Sequence, residues 1–198
     1  MRKINNTLIF LCCLATACIL VKDLNNGAAD LARLAGSASI LLVLFLPRII
    51  KKILKVDFTD EMELVYILFI ILAQFAGCIL RLYNNVWWYD LFAHFTSGIL
   101  TATLSLAVLG WFKVYNPKNK AFNAFFIISF ALMVAAIWEF MEYGVDVFLH
   151  LNVQHSLETG VSDTMEDMLV AFIGSIIVSI TYLVQGKNGF LNKVVSKK

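Results

Sequence analysis

The chain has 198 residues, of which 60% are hydrophobic and only 15% charged, and its formal net charge is +2. A soluble fold could not cover so much apolar surface, whereas lipid solvates it without penalty, so the composition excludes a soluble domain. We expect an all-α, multi-pass membrane protein, with membrane lipids as partners and no nucleic acid.

Six apolar runs are long enough to cross a bilayer, which takes about 20 mostly apolar residues. The predicted transmembrane helices cover residues 4–21, 34–50, 64–83, 90–112, 121–149 and 164–185. Together they are expected to form one integral membrane domain over residues 1–198. The second run is the least clear of the six, because Pro47 and Arg48 shorten its apolar part.

The first run has an alternative interpretation as a cleaved signal peptide. Met1-Arg2-Lys3 precedes an apolar stretch, and Ala15-Thr16-Ala17 resembles a small-residue cleavage site. Cleavage would leave the second helix starting outside the cell, so the orientation of the remaining helices is the same under both interpretations.

The basic residues orient the chain in the membrane. With the N-terminus in the cytoplasm, thirteen of the sixteen Lys and Arg residues fall in cytoplasmic segments, and only Lys22, Arg33 and Arg81 fall outside. This positive-inside distribution predicts that both termini are cytoplasmic. The basic tail after Gly186 is expected to lie along the inner membrane surface.

An acidic group precedes the third helix on the predicted cytoplasmic side. Asp57, Asp60, Glu61 and Glu63 suit the positive end of a helix dipole, and Asp60 with Glu63 has the spacing of a capping box. We expect these carboxylates to be hydrated and structural.

The fourth helix begins with polar residues that share one face. Trp87, Trp88 and Tyr89 precede an apolar run, as aromatic residues do where a membrane meets water. Asp90 and His94 follow with the i, i+4 spacing that places two side chains on one side of a helix. The pair is therefore predicted at the outer end of this helix.

Two other helices bring acidic side chains to the same depth. Glu139 lies 18 residues beyond Ala121, or roughly 27 Å of rise at about 1.5 Å per residue, which is close to the thickness of the hydrocarbon core. The sixth helix starts on the same outer side. The acidic residues at this level are Asp90, Glu139, Glu142, Asp146, Asp163, Glu166 and Asp167. Because carboxylates at this depth are costly and repel one another, a metal ion or shared protons are implied.

The ligand types indicate a divalent cation such as Mg, Mn, Fe or Zn. The predicted metal ligands are Asp90, His94, Glu139, Asp163 and Asp167. Glu142 or Glu166 would act as the general base. The cation would activate a water molecule that attacks a lipid or cell-envelope intermediate. His150 and His155 lie in the outer loop, and either could add a ligand.

Two other classes of function stay open. A transporter or channel would use the carboxylates as a proton or cation relay, but the inner half offers only Gln74, Thr101, Thr103 and Ser105 as a polar path. A non-catalytic scaffold would use the same acids only to cap helices and bind partners. The oligomeric state and the identity of the metal are not indicated.

Three motifs in order resemble a known family. They are Trp88-Tyr89-Asp90-x-x-x-His94 with Ser97-Gly98, Trp138-Glu139-x-x-Glu142, and Asp163-Thr164-x-x-Asp167-Met168 with Ala171-x-x-Gly174. Over about residues 60–185 the chain resembles the YjdF-like family, bacterial inner-membrane proteins with a domain of unknown function. A looser similarity links it to the VanZ-like family, associated with glycopeptide resistance, although Ala171 stands where that family has Asn. The resemblance implies a multi-pass protein of the bacterial plasma membrane and no established reaction.

Overall fold

The computed structural model describes residues 1–28, 31–154, 156–186 and 189–195. Within these ranges the regular structure is helical, with no strand. Six helices are long and apolar enough to cross a membrane. The predicted all-α class with six spans is therefore confirmed. The chain divides into two compact units, 1–90 and 91–198, and the expectation of a single domain stays a prediction.

The first unit contains three long helices. They are α1 (Arg2–Asn25), α2 (Leu31–Leu54) and α3 (Asp60–Ile70), which continues as a π-helix over Ile71–Ile79, followed by the short α4 (Leu82–Asn85). Their core consists of Ile9, Cys12, Ile40, Leu44, Ile67 and Ile70. Helices α1 and α2 are longer than the apolar runs, because each continues into its polar flanks, over residues 22–25 and 51–54. Pro47 lies inside α2 and does not end it.

The start of α3 differs from the expected hydrated acidic cap. The N-cap is Thr59, whose hydroxyl oxygen accepts the Met62 backbone N–H at 3.3 Å, so the capping-box assignment to Asp60 was wrong by one residue. Glu63 is only 7% exposed. Its carboxylate accepts Arg48 Nε–H at 2.5 Å and Asn5 Nδ2–H at 2.9 Å. Glu63 is therefore a buried ion-pair partner, because α1 and α2 cover it.

The end of the third span also differs from the sequence expectation. The helix was expected to reach residue 83 but ends at Ile79. Arg81 adopts a left-handed backbone conformation with φ 61°, which interrupts a right-handed helix. Nearby, the Tyr89 hydroxyl donates to the Leu72 carbonyl at 2.8 Å, so the π-helical segment supplies an acceptor to the residue that opens the next span.

The second unit is built on three further spans. They are α5 (Tyr89–Trp111), whose first two residues precede the unit boundary, α6 (Lys120–Leu149) and α8 (Ser162–Val184), with the short α7 (Ser156–Thr159) before α8. A 3₁₀ turn follows at Phe190–Lys193. The core of this unit consists of Ala102, Leu106, Leu109, Ile127, Ala131, Val178, Tyr182 and Leu191.

The C-terminal segment packs into this core, contrary to the expectation that it lies along the membrane surface. Leu191 is 1% exposed, and its backbone N–H donates to Gln185 Oε1 at 3.2 Å. Tyr115 donates its hydroxyl to Asn192 Oδ1 at 3.0 Å. Burial, together with the neighbouring Tyr182 hydroxyl, raises the pKa of Tyr115, so this donor stays protonated. Residues 187–188 and 196–198 of the tail lie outside the described residues.

Candidate functional site

The polar residues of α5 lie in its first two turns. Tyr89 is buried, whereas Trp87 and Trp88 are exposed. One turn apart, Asp90 is half-buried and His94 is 7% exposed. The i, i+4 spacing therefore places the imidazole toward the interior of the helix packing, with the Asp90 carboxylate next to it.

On each of the helices α6 and α8, one buried acid lies on the same face as small buried residues. On α6 the buried positions Ala131 and Ala135 are followed four residues later by Glu139, which is 4% exposed. On α8 the buried Asp167, 2% exposed, is followed four residues later by Ala171. Because i and i+4 share a face, each carboxylate lies on the inward face of its helix.

Small residues also allow α5 and α8 to approach closely. A Cβ added to Gly98 would lie 2.7 Å from the Ala171 Cα, and one added to Gly174 would lie 2.6 Å from the Phe95 carbonyl oxygen. Real Cβ atoms do not come so near to backbone atoms, so these positions require glycine. Gly98 lies one turn after His94, and the close approach therefore holds the imidazole against α8.

The His94 ring lies between two buried carboxylates. Nδ1 is 4.0 Å from Glu139 Oε1, and Nε2 is 3.8 Å from Asp167 Oδ2. Ligand atoms of Asp90, His94 and Asp167 all lie within 4.8 Å of one another. The structure thus brings together four of the residues that the sequence selected, from three different helices.

The cluster has dimensions close to those of a metal site. With metal–ligand bonds of about 2.0–2.2 Å, two ligands of one ion are at most about 4.4 Å apart. The His94–Asp167 separation of 3.8 Å lies within this limit. All three ligand atoms lie within 4.8 Å of one another, so a shift of less than about 1 Å would bring every pair within it. Two carboxylates with one imidazole suit Mn, Fe or Zn, and the carboxylates suit Mg.

The other predicted site residues lie in different surroundings. Glu142 accepts the Trp138 indole N–H at 2.7 Å, and Glu166 is exposed. Asp163 is half-buried in the first turn of α8. Asp146 accepts the backbone N–H groups of Val153 and Gln154, at 2.6 and 3.0 Å, and so fixes the loop after α6.

Of the two loop histidines, His150 is exposed and ends α6 in a left-handed conformation with φ 54°. His155 lies outside the described residues.

One polar residue beside the cluster was not selected from the sequence. Gln154 donates from Nε2 to Thr164 Oγ1 at 3.2 Å and to the Glu139 carbonyl at 3.5 Å. It therefore connects the loop after α6 to the start of α8, next to the two helices that carry the buried acids. A single glutamine in a polar loop has no distinguishing sequence signal. By contrast, the four-residue spacing of Ala131, Ala135 and Glu139 is visible in the sequence and predicts that Glu139 is buried.

The family described as "Predicted membrane protein (DUF2238)" matches residues 6–188 of the chain. No curated protein and no solved structure matches it.

Proposed function

Since the chain belongs to the DUF2238 family of predicted membrane proteins, which is the YjdF-like family that its motifs resemble, we propose that it is a divalent-cation-dependent enzyme of the bacterial plasma membrane. Asp90, His94 and Asp167 hold the cation, and the substrate is a lipid or cell-envelope intermediate at the outer membrane face. Both termini are cytoplasmic in this proposal, and its orientation follows from the distribution of basic residues.

One observation carries the proposal: three ligand atoms from two helices lie within 4.8 Å of one another, two of them on side chains that are almost fully buried. Bringing ionised carboxylates out of water is costly unless an opposite charge lies beside them. Protonation of His94 would supply one positive charge, whereas a divalent cation supplies two. A bound cation therefore offsets the charge of Asp90 and Asp167 more completely than a proton does.

The two sides of the His94 ring support different roles for its neighbours. Nε2 faces Asp167, which shares the cluster with Asp90, whereas Nδ1 faces Glu139. Metal-bound histidines generally donate their other N–H to a carboxylate, which fixes the tautomer and the orientation of the ring. The 4.0 Å separation between Nδ1 and Glu139 Oε1 is longer than a hydrogen bond. An approach of about 1 Å on metal binding would let Glu139, which the sequence suggests as a ligand, orient His94 in this way.

We expect Glu139→Gln to weaken metal binding by about 10- to 100-fold, as changes at such orienting partners do. The amide is nearly the same size and can still accept a hydrogen bond, but it lacks the charge that favours the Nδ1–H tautomer. The measurement is a Mn²⁺ titration of the purified protein followed by electron paramagnetic resonance. Glu166→Gln is the matched control, because Glu166 is exposed, and it should leave the affinity unchanged. Equal affinities for the two variants would exclude the orienting role.

A divalent cation held by Asp90, His94 and Asp167 would supply Lewis acidity toward a water molecule and toward the bond to be cleaved. A general base of the chain would accept the proton of that water. Glu142 and Glu166 are the candidates on neighbouring helices. Glu142 is held by the Trp138 indole, so its position is fixed, whereas Glu166 is exposed. These contacts favour Glu142 as the base.

The polar side chains in the inner half of the second unit support transport less well than the cluster supports an enzyme. Thr101, Thr103 and Ser105 donate their hydroxyl hydrogens to the carbonyls of Ser97, Ile99 and Ala102, all within α5. Each hydroxyl therefore donates to a carbonyl of its own helix and not to a neighbouring group of a proton or cation relay. A flux assay in proteoliposomes distinguishes the two functions, because the proposed enzyme carries no cation current.

The function is tested by hydrolysis of a defined substrate. Purified protein is stripped with a chelator, reloaded with Mn²⁺, Mg²⁺ or Zn²⁺, and incubated with a polyprenyl-diphosphate-linked sugar or with a phospholipid. We expect metal-dependent release of a water-soluble product, reduced at least 100-fold by His94→Ala or Asp167→Asn, since both remove a ligand. Asp57→Asn, which changes an exposed acid of the first unit, should retain the activity. Activity that is unaffected by chelation and by both ligand variants would contradict the proposal.

A further inference from the structure

A second polar site lies in the first unit, among the helix ends that the sequence places on the cytoplasmic side. An open cleft of about 250 Å³ is lined by the start of α1, the end of α2 and the start of α3, and this cleft is the cavity discussed below. Its charged lining residues are Arg2, Arg48, Lys51, Lys52, Asp60 and Glu63, with Pro47 and Phe58 as apolar walls. Cationic side chains therefore outnumber acidic ones by two to one.

Two of the four cations are fixed by the fold. Arg48 donates from Nε to Glu63 at 2.5 Å and from a terminal nitrogen to Asn6 Oδ1 at 2.6 Å. Lys51 donates to the Phe58 carbonyl at 2.9 Å. These contacts hold both side chains in place, so the cavity has a preformed polar wall instead of a set of mobile surface charges.

The other two cations are accessible to a ligand. Arg2 and Lys52 line the cavity and are exposed. An anion entering the cavity would meet both of them, together with the preoriented Lys51. Arginine and lysine together are the usual ligands of phosphate groups, arginine through its planar donors and lysine as a compact charge.

The surroundings of the cavity favour a lipid phosphate over a soluble one. Large apolar side chains on the same helix ends are exposed, with Ile4 at 51%, Ile49 at 41% and Ile53 at 70%. Such side chains offer contacts to an acyl chain and nothing to a free ion. Anionic phospholipids are concentrated in the cytoplasmic leaflet, where basic side chains attract them.

We propose that this cavity binds the phosphate headgroup of an anionic phospholipid. Arg2 and Lys52 contact the phosphate, Lys51 contributes from the fixed wall, and the acyl chains lie along the exposed isoleucines. The site is independent of the acidic–histidine cluster, so its failure would leave the proposed enzymatic function unaffected.

The test is native mass spectrometry of the full chain in detergent, titrated with phosphatidylglycerol, with phosphatidylcholine, or with inorganic phosphate. We expect saturable binding of phosphatidylglycerol that the double variant R2Q/K52Q weakens at least fivefold, since each basic residue near a membrane surface contributes to the attraction. The matched control is K113Q/K118Q, which removes the same charge from exposed lysines outside the cavity, and it should bind like the unchanged protein.

Three results would overturn the proposal. The first is equal weakening by the two double variants, which would indicate a non-specific charge effect. The second is equal saturable binding of phosphatidylcholine, which carries no net negative charge. The third is binding of inorganic phosphate as tight as that of phosphatidylglycerol, which would assign the cavity to a soluble anion. Arg48 is left unchanged throughout, because its loss would disturb the buried pair with Glu63.

Discussion

Gly98→Leu is expected to destabilise the second unit by about 3 kcal/mol or more and to abolish metal binding. Any Cβ at this position would lie 2.7 Å from the Ala171 Cα and against the carbonyl of the same residue. The obstruction is helix backbone, which cannot rotate away as a flexible side chain does, so α5 and α8 must separate. Separation moves His94, one turn earlier on α5, away from Asp167 on α8. The measurements are unfolding by SDS titration and metal content of the folded fraction.

Gly144→Leu is the matched control for this prediction. Gly144 also lies inside a long helix, but among the described residues no side chain or neighbouring helix lies within 4 Å of a Cβ built there. Leucine favours the helix over glycine by about 0.5–1 kcal/mol. The control should therefore be at least as stable as the unchanged protein and retain its metal. Similar destabilisation by both leucines would show that the backbones of α5 and α8 are not in close contact at Gly98.

Arg48→Met should destabilise the first unit by about 3–5 kcal/mol, the usual cost of leaving one partner of a buried ion pair without its counter-charge. Glu63 is 7% exposed, and among the residues that the structure describes its carboxylate would then keep the Asn5 amide as a hydrogen-bond donor and Arg2 as a more distant positive charge. Glu63→Gln should cost less, because the Arg48 side chain is 37% exposed and can be hydrated. The quantity to compare is the free energy of unfolding in SDS.

Two further variants distinguish an ion-pair effect from lost packing. The double variant R48M/E63L should be clearly more stable than R48M, since apolar replacement of both members of such a pair is often nearly neutral. Asp57→Ala should change the stability by less than about 0.5 kcal/mol, because its 4.0 Å pair with Lys51 is exposed on both sides. A double variant as unstable as R48M would assign the effect to the arginine stem and not to the charge.

The helical periodicity and the bilayer thickness were sufficient to predict much of the fold and the level of the site. Asp90 and His94 share a face because four residues make about one helical turn, and Glu139 and Asp167 reach the same level because their helices span a layer of fixed thickness. Helix pitch and bilayer thickness do not depend on any tertiary contact, so the depth of these residues follows from the sequence alone.

Which acid turns inward depends on partners that are distant in the sequence. Glu63 is buried because Asn5 and Arg48, from two other helices, bind it, and nothing near residue 63 indicates this. The left-handed conformation of Arg81 ends the third span early, although arginine has no preference for it. Likewise, Leu191 belongs to a short apolar–basic tail that suits a membrane surface as well as a protein core, and tertiary packing decides between them.

The metal content of the purified protein tests the central claim most directly. After expression in metal-replete medium, inductively coupled plasma mass spectrometry should find about one divalent cation per chain. The variants Asp90→Asn, His94→Ala and Asp167→Asn should lose it while keeping their helical circular dichroism, and Glu166→Gln and Asp57→Asn should keep it. A metal-free wild-type protein, or metal retained by all three ligand variants, would contradict the assignment of this cluster as a cation site.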